Sequence, residues 1–429
     1  MKLFLSSVQW VAFMFSSSIV APIAVAALFQ LNTVETAGFI QRAVFILGLA
    51  ALLQILFGHK LPINEGPAGL WWGVFALYAG LSTTLFTSHL ETLQALQGAL
   101  IAGSIFFILL SAFGIIEKLS HLFTPTVTGV YLLLLVLQLS SSFAKGMMGL
   151  GNSQSTVNMK MLLLSVFIVA ITIWFTKNKI RFIKQYAILL ALVVGWCLFL
   201  LFGLAPTPKL SGISILSFPD LFAFGKPIFN TGMIVSALFV TILLIANMIA
   251  SIRITENILK GMNVEVDQTN VNRTGIISGI IQGLAGMFST IGSVPISGAG
   301  GFIQATGITS KLPFILASIA VVIISFFPPI MSVFAAMPPA VGYSVSFVIF
   351  AGMLSMALSD IQKDLTNTRM IIGVSLLSGV GIMFIPTEAF NGLHPVLISL
   401  LSNGLIIGTI ICICGEQGLK LVKKKYRSK

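Results

Sequence analysis

Two Pro- and Gly-rich interruptions break the apolar sequence at matching places in its two halves. They occupy residues 61–69 and 294–301, and their prolines Pro62 and Pro295 lie 233 positions apart (295 minus 62) in a chain of 429 residues. Because lipid offers free backbone groups no hydrogen-bond partners, unwound backbone inside a membrane must lie in protein or along a cavity. Paired interruptions therefore indicate a binding site between two halves, whereas either one alone could be a helix kink.

The surrounding composition is that of a membrane protein. Hydrophobic residues make up 57% of the chain and charged residues 8%, compared with about a quarter charged residues in soluble domains. The three cysteines have no disulfide or metal-ligand spacing, and the four histidines form no HExxH motif. We expect no enzyme activity, no metal site and no cofactor.

The apolar runs predict an all-α integral membrane protein with fourteen spans. The expected spans are residues 7–30, 36–57, 61–80, 92–116, 122–141, 160–176, 185–205, 230–259, 273–291, 295–309, 312–334, 338–359, 368–386 and 393–415. Because seven is odd, two seven-span halves have opposite orientations and form an inverted repeat. In each half, the third span is expected to be a short strand followed by a half-helix, since prolines remove backbone donors.

Four segments follow from this division. They are a first repeat at 1–205, an outer connection at 206–229, a second repeat at 230–415 and a basic tail at 416–429.

The net charge of +12 follows the topology and does not indicate a nucleic-acid partner. If the N-terminus is cytoplasmic, eighteen Lys and Arg residues fall on the inner side: Lys2, Lys60, Lys118, Lys177, Lys179, Arg181, Lys184, Lys260, Arg273, Lys311, Lys363, Arg369, Lys420, Lys423, Lys424, Lys425, Arg427 and Lys429. Five fall on the outer side: Arg42, Lys145, Lys160, Lys209 and Lys226. This positive-inside bias predicts a multi-pass cell-membrane protein with both termini cytoplasmic. A cleaved signal peptide ending near 24–26 is the alternative for the first span.

Several segments resemble the nucleobase–cation symporters, also called nucleobase–ascorbate transporters, which carry uracil, xanthine, uric acid and related bases. The resemblance rests on Ser7-Val8-Gln9-Trp10 through Pro22, Gly58-His59-Lys60-Leu61-Pro62 through Gly66, Leu243 through Lys260, Phe288 through Gly307, and Asp364 through Arg369. It implies fourteen spans in two inverted repeats, with a core of spans 1–4 and 8–11 and a gate of spans 5–7 and 12–14. It also implies substrate between the strands of spans 3 and 10, beside span 8, and a homodimer.

The chain departs from this family's pattern at the positions that usually read the base. Asn247 stands where the eighth span normally presents a glutamate, and Trp10 stands where the first span often has histidine. In the tenth-span signature, Gly298 and Ala299 replace the usual Gln or Glu and Asn. Three signature positions are kept, namely Gly301, Thr306 and Gly307.

A nucleobase pocket needs planar hydrogen-bonding groups and an apolar face. Asn247 can both donate and accept, and Ser17 on span 1 can line the same cavity. The backbone and small side chains at the interruptions complete the predicted substrate site: Glu65, Gly66, Gly69, Ser297, Gly298 and Ala299. Trp71, Trp72 and Phe302 are either stacking partners or packing aromatics.

Two acidic residues within spans are candidates for proton coupling, because burial disfavours the charged form of a carboxyl group. Glu65 lies in the span 3 strand, and it alternatively pairs with Lys60 or caps the half-helix. Glu256 alternatively forms an ion pair with Arg253 on the same helix face.

These features predict a secondary active carrier for a nucleobase, coupled to a proton or another cation and working by an elevator-type motion. Small groups at Gly298 and Ala299 leave room for a second ring, which favours a purine such as xanthine, guanine or hypoxanthine. The alternatives are an anion carrier of the same fold, resembling the sulfate permeases, and a relative that no longer transports. An anion could be held by the two half-helix N-termini alone.

Overall fold

The polypeptide is mostly helical. The computed structural model describes residues 2–120, 122–150, 156–205, 213–266, 269–390 and 392–427. Residues 206–212, which open the predicted outer connection, lie outside the described part of the chain, as do 428 and 429 of the predicted tail.

The first half contains eleven helices and one strand among its described residues. In chain order they are α1 (Lys2–Ser18), α2 (Val20–Leu28), α3 (Thr33–Phe57), β1 (Glu65–Pro67), α4 (Gly69–Gly80), α5 (Ser82–Leu85), α6 (His89–Ala112), α7 (Ile116–Ser120), α8 (Pro125–Met147), α9 (Met159–Thr176), α10 (Arg181–Gln185) and α11 (Ala187–Leu201). Side chains that accept backbone N–H groups fix the starts of four long helices. These N-caps are Asn32, Ser88, Thr124 and Asn158.

The second half likewise has a short strand after its first long helices. Its elements are α12 (Thr231–Gly261), α13 (Val271–Met287), β2 (Ser293–Pro295), α14 (Gly298–Thr306), α15 (Lys311–Ser325), α16 (Pro328–Ala335), α17 (Pro339–Gln362), α18 (Leu365–Met383), a 3₁₀ turn (Thr387–Phe390), α19 (Pro395–Leu401) and α20 (Gly404–Arg427).

Both interruptions form a strand followed by a helix, as the sequence predicts. Strands β1 and β2 pair antiparallel, with Glu65 opposite Pro295, Gly66 opposite Val294 and Pro67 opposite Ser293. The two halves are therefore joined by a two-stranded sheet.

The eleventh predicted span is not one continuous helix. Helices α15 and α16 are bent by 85° where residues 326–327 separate them. Pro328 and Pro329 explain the break, because proline lacks the backbone donor and pushes the preceding residue out of the helical region. Phe327 accordingly has φ −108° and ψ 88°.

The last predicted span is also divided. Helix α19 ends at Leu401, and α20 begins at Gly404, where the Asn403 side chain accepts the backbone N–H of Ile406 at 3.2 Å. Helix α20 then continues to Arg427, into the region expected as a solvated tail. Glu416 is buried there and accepts a 2.6 Å hydrogen bond from Thr124.

Among the described residues, nine helices are long and apolar enough to cross a membrane, and the bent α15–α16 pair would make ten. The strand-broken segments, with helices of 12 and nine residues, fall outside this count. The fourteen-span inverted repeat therefore stays a prediction, while the multi-pass helical membrane architecture is clear.

The segment 213–229 of the predicted outer connection lies against the helices and is held by side-chain and backbone hydrogen bonds. Gln94 on α6 donates to the Phe224 carbonyl at 2.7 Å, and the Ile228 N–H donates to the Gln94 carbonyl at 3.0 Å. Gln41 on α3 donates to the Ser217 carbonyl at 3.0 Å.

We expect a Gly98→Ala substitution on α6 to destabilise the protein. A Cβ atom there would lie 2.1 Å from the Ile228 backbone oxygen, and overpacking costs about 1–3 kcal/mol. The thermal unfolding midpoint of the purified protein in detergent should fall. Gly373→Ala on α18 is the matched control, because its new Cβ would meet no atom within 4 Å. Equal midpoints for the two variants would contradict the close backbone approach.

Candidate functional site

The centre of the candidate site is the β1–β2 pair. Beyond the ladder itself, the Ala68 N–H donates to the Gly292 carbonyl and the Ile296 N–H donates to the Asn64 carbonyl, both at 2.8 Å. These bonds satisfy non-helical backbone that lipid could not satisfy. Protein therefore surrounds both interruptions, and each strand leads directly into a helix.

The two helices that follow the strands begin without side-chain caps. Helix α4 follows Ala68 and α14 follows Ser297, and neither residue caps its helix through a side chain. The N-terminal ends of α4 and α14, which are the positive ends of the helix dipoles, therefore lie near the strands and favour polar or anionic groups. Gly298 at the start of α14 is exposed, and a Cβ there would meet no atom closer than 3.6 Å.

Helix α12 is tied to β2 through one carbonyl. The Asn247 side-chain amide donates to the Pro295 oxygen at 3.3 Å, and the Ser251 hydroxyl donates to the same oxygen at 2.9 Å. Asn247 is half-buried, whereas Ser251 is 1% exposed. The amide thus lies at the strand pair with part of its surface accessible.

Span 1 reaches the site through its serines. The Asn64 amide donates to the Ser17 hydroxyl at 2.8 Å and to the Ser18 hydroxyl at 3.4 Å. The Asn64 Oδ1 atom is buried and has no hydrogen-bond partner among the described residues. A Cβ on Gly66 would lie 2.8 Å from the Ser18 hydroxyl and 2.3 Å from the Ile296 side chain, so glycine permits this close approach.

Glu65 is paired with a histidine. Its Oε1 lies 3.0 Å from His59 Nε2, and both side chains are buried. The Leu61 N–H donates to His59 Nδ1 at 3.0 Å. That bond leaves the ring proton on Nε2, so His59 donates to the Glu65 carboxyl. Lys60, the partner considered from the sequence, is exposed and is not bonded to Glu65.

Glu256 lies outside the two strands, near the end of α12. It accepts a 2.6 Å hydrogen bond from Thr269. No ion pair joins it to Arg253 among the residues that the structure describes, so the predicted pairing on one helix face was wrong. Arg253 is exposed instead.

The remaining predicted residues take different positions. Ser297 is half-buried before α14, while the Ala299 side chain is fully buried. Gly69 is half-buried, and its nearest neighbours are Leu135 on α8 and Phe350 on α17. The site thus borders helices assigned to the predicted gate.

The three candidate stacking rings are buried in packing contacts in this structure. Trp72 lies 5.6 Å from both the Phe143 and Phe350 ring centroids. Phe302 lies 4.4 Å from the Trp10 ring, and Trp71 is 1% exposed. In this structure the three rings therefore act as packing aromatics.

Sequence reasoning missed His59, Asn64 and Ser251 as parts of the site. Asn64 belongs to the first interruption and His59 lies two positions before it, where polar residues occur near two prolines in otherwise apolar sequence. That contrast was an available signal. Ser251 had one too, since it follows Asn247 by four positions and thus shares its helix face.

Comparison with known proteins identifies the family of the chain. The permease family model Xan_ur_permease matches residues 1–388. The chain belongs to the xanthine/uracil permease family. A Bacillus subtilis protein named "Putative purine permease YwdJ" is 46% identical over 422 residues, covering 97% of this chain and 96% of the relative. The uric acid permease PucK of Bacillus subtilis is 24% identical over 420 residues, covering 96% and 94%.

A solved structure shares the fold of this permease. The transmembrane domain of the cyanobacterial bicarbonate transporter BicA superposes with a TM-score of 0.62 at 16% identity, and 96% of each chain is covered. At that identity the likeness concerns the fold alone. The permease is a membrane transporter and not an enzyme, in agreement with the sequence prediction.

Proposed function

We propose that this permease carries a purine base such as xanthine, guanine or hypoxanthine. The main support for a purine substrate is the whole-length similarity to a protein named as a putative purine permease. The strand pair supports it, because a half-buried amide at Asn247 can pair with the edge of a heterocycle. The exposed, open position at Gly298 leaves space for a second ring.

Coupling to a proton is part of the proposal and rests on Glu65. Its carboxyl group is the acidic side chain in the strand pair, and it lies opposite Pro295, whose carbonyl is bound by Asn247. A buried carboxyl next to a neutral donor can exist in both protonation states. Glu256, bonded to Thr269 at the far end of α12, is the weaker candidate.

The proposed motion is an elevator-type displacement of a core (spans 1–4 and 8–11) against a gate (spans 5–7 and 12–14), in a homodimer. Helix packing supports the underlying inverted repeat, because contacts occur in equivalent pairs. Helix α6 packs on α13 as α15 packs on α3, and α1 packs on α15 as α12 packs on α6. The gate has corresponding pairs, α9 with α11 and α18 with α20.

A cytoplasmic position for both termini is also proposed. A cavity of about 50 Å³ brings together three basic residues that the sequence assigns to the inner side, Lys60, Arg273 and Lys311. Their convergence at one end of the molecule agrees with the positive-inside bias.

The anion-carrier alternative is less well supported. Fold similarity to a bicarbonate transporter is compatible with it. However, the carboxyl group of Glu65 is buried in the strand pair, where its negative form would repel an anion. A protein that no longer transports would not need a buried carboxyl group at position 65.

We expect cells that express the permease to take up radiolabelled xanthine, and unlabelled purines to compete better than uracil. The assay compares xanthine, guanine, hypoxanthine, uric acid and uracil as competitors at two pH values. Sulfate and bicarbonate serve as the anion controls. Uptake of sulfate or bicarbonate without uptake of any base would establish the anion alternative. If no base or anion shifts the thermal unfolding midpoint of the purified protein, the alternative of a relative that no longer transports is favoured.

A further inference from the structure

A second cavity lies apart from the strand pair and has a volume of about 750 Å³. The α2–α3 turn, α3, the start of α6, the segment 213–224 and α16 contribute its lining. Its size is that of a typical small-molecule pocket. None of the residues proposed above to bind the base lines it. Its charged and polar lining includes Glu35, Gln41, Arg42, His89 and Asp220.

Arg42 is a buried cation that forms no hydrogen bond with the residues that the structure describes. It is 5% exposed, and its Nε atom is buried and unpartnered among the described residues. Its guanidinium carbon lies 5.8 Å from the Phe39 ring centroid and 5.2 Å from that of Phe224. Asp220 attracts it electrostatically but forms no ion pair with it. Because polar groups without hydrogen bonds are costly to bury, the guanidinium can gain from an additional acceptor.

His89 supplies a second unpartnered donor in the same cavity. The Gln30 side-chain nitrogen lies 3.1 Å from His89 Nε2. An amide nitrogen only donates, so Nε2 accepts and the ring proton of neutral His89 lies on Nδ1. Within the described part of the chain, Nδ1 is buried without a hydrogen-bond partner. Arg42 on α3 and His89 on α6 thus line one cavity, together with the carboxylates of Glu35 and Asp220.

The wall opposite these donors is fixed in place. Gln41, the residue before Arg42, donates to both the carbonyl and the hydroxyl oxygen of Ser217 at 3.0 and 3.2 Å. Gln94 donates to the Phe224 carbonyl. These bonds hold the Phe224 ring over the guanidinium before any ligand enters, which lowers the entropic cost of binding.

We propose that this cavity binds a small oxyanion through Arg42 and His89. A guanidinium group presents parallel N–H donors that match the two oxygens of a carboxylate or phosphate. An aqueous anion and a lipid headgroup phosphate offer this same chemistry. The carboxylates of Glu35 and Asp220 line the cavity and repel such a ligand, so they limit the affinity.

Isothermal titration of sodium acetate and of sodium phosphate into the permease in zwitterionic nanodiscs tests this proposal. We expect saturable binding of at least one of the two anions to the wild-type protein. Arg42→Gln should weaken it by about tenfold or more, since a hydrogen bond to a charged group is worth about 1.5–3 kcal/mol. Asp220→Asn should tighten it by removing the repulsion. Asp220 is exposed, so this variant should fold normally.

Arg42→Lys is the control for folding, since it keeps the charge and loses the planar fork. Binding intermediate between wild type and Arg42→Gln supports the assignment. Absence of saturable binding in the wild-type protein overturns the proposal, as does a failure of Asp220→Asn to tighten it. Repeating the titrations in nanodiscs that contain anionic phosphatidylglycerol distinguishes a lipid headgroup from an aqueous anion. Suppressed acetate or phosphate binding supports a headgroup as the occupant, and unchanged binding supports an aqueous anion.

Discussion

Replacing Glu65 with Gln is expected to uncouple purine uptake from the proton gradient. Glutamine keeps the size of the side chain and can still accept the hydrogen bond from His59 Nε2, but it cannot take up a proton. A gradient of about two pH units is worth about 2.7 kcal/mol per proton and supports about a hundredfold accumulation. In the variant this accumulation should disappear, and the initial rate should become independent of external pH.

The measurement is uptake of radiolabelled xanthine by cells at external pH 5.5 and 7.5, with and without a protonophore. Glu256→Gln is the matched control, because the same chemical change is made at a carboxyl that is bonded to Thr269 and belongs to neither strand. It should keep the pH response. An undiminished pH response in the Glu65 variant would exclude this residue as the proton site.

Replacing Asn247 with Ala is expected to raise the KM for xanthine by about tenfold, the effect of losing hydrogen bonds worth about 1.5 kcal/mol. The half-buried amide is the side chain of α12 that combines a contact with β2 and an accessible surface. The uptake rate at saturating xanthine should fall less than the affinity, because the strand pair itself remains intact.

Ser251→Ala separates a substrate contact from a structural one. Ser251 donates to the same Pro295 carbonyl at 2.9 Å but is buried. If Asn247 acts only by holding β2, the two variants should change KM alike. A KM that rises in Asn247→Ala and stays unchanged in Ser251→Ala is the expected result, and equal shifts would remove Asn247 from the substrate site.

The parts of the fold that depend on local backbone chemistry could be predicted from the sequence. Pro62, Pro67 and Pro295 cannot donate hydrogen bonds, so the interruptions had to be extended. Asn32 and Thr124 mark helix starts in the same local way. The 85° bend after α15 was signalled by two prolines but was read as one span, because its hydropathy is continuous.

The partners within the site depend on how distant segments meet, which periodicity does not report. His59 reaches Glu65 because the chain turns at Lys60, which has a φ of 60°. Asn64 meets Ser17 from 47 positions away. The docking of 213–229 across α3 and α6 likewise depends on tertiary contacts of Gln41 and Gln94. Pro- and Gly-rich composition alone suggested a simple joint between the halves.

The pairing of β1 with β2 also constrains how the polypeptide is made. Glu65 and Pro295 are opposite each other although 230 positions separate them (295 minus 65). Until the ribosome has delivered the second strand, the extended backbone at 64–68 lacks the partners that it has in the finished protein. During synthesis the first half therefore carries an unfinished element within the bilayer. The proposed substrate site is complete only when the second half has inserted.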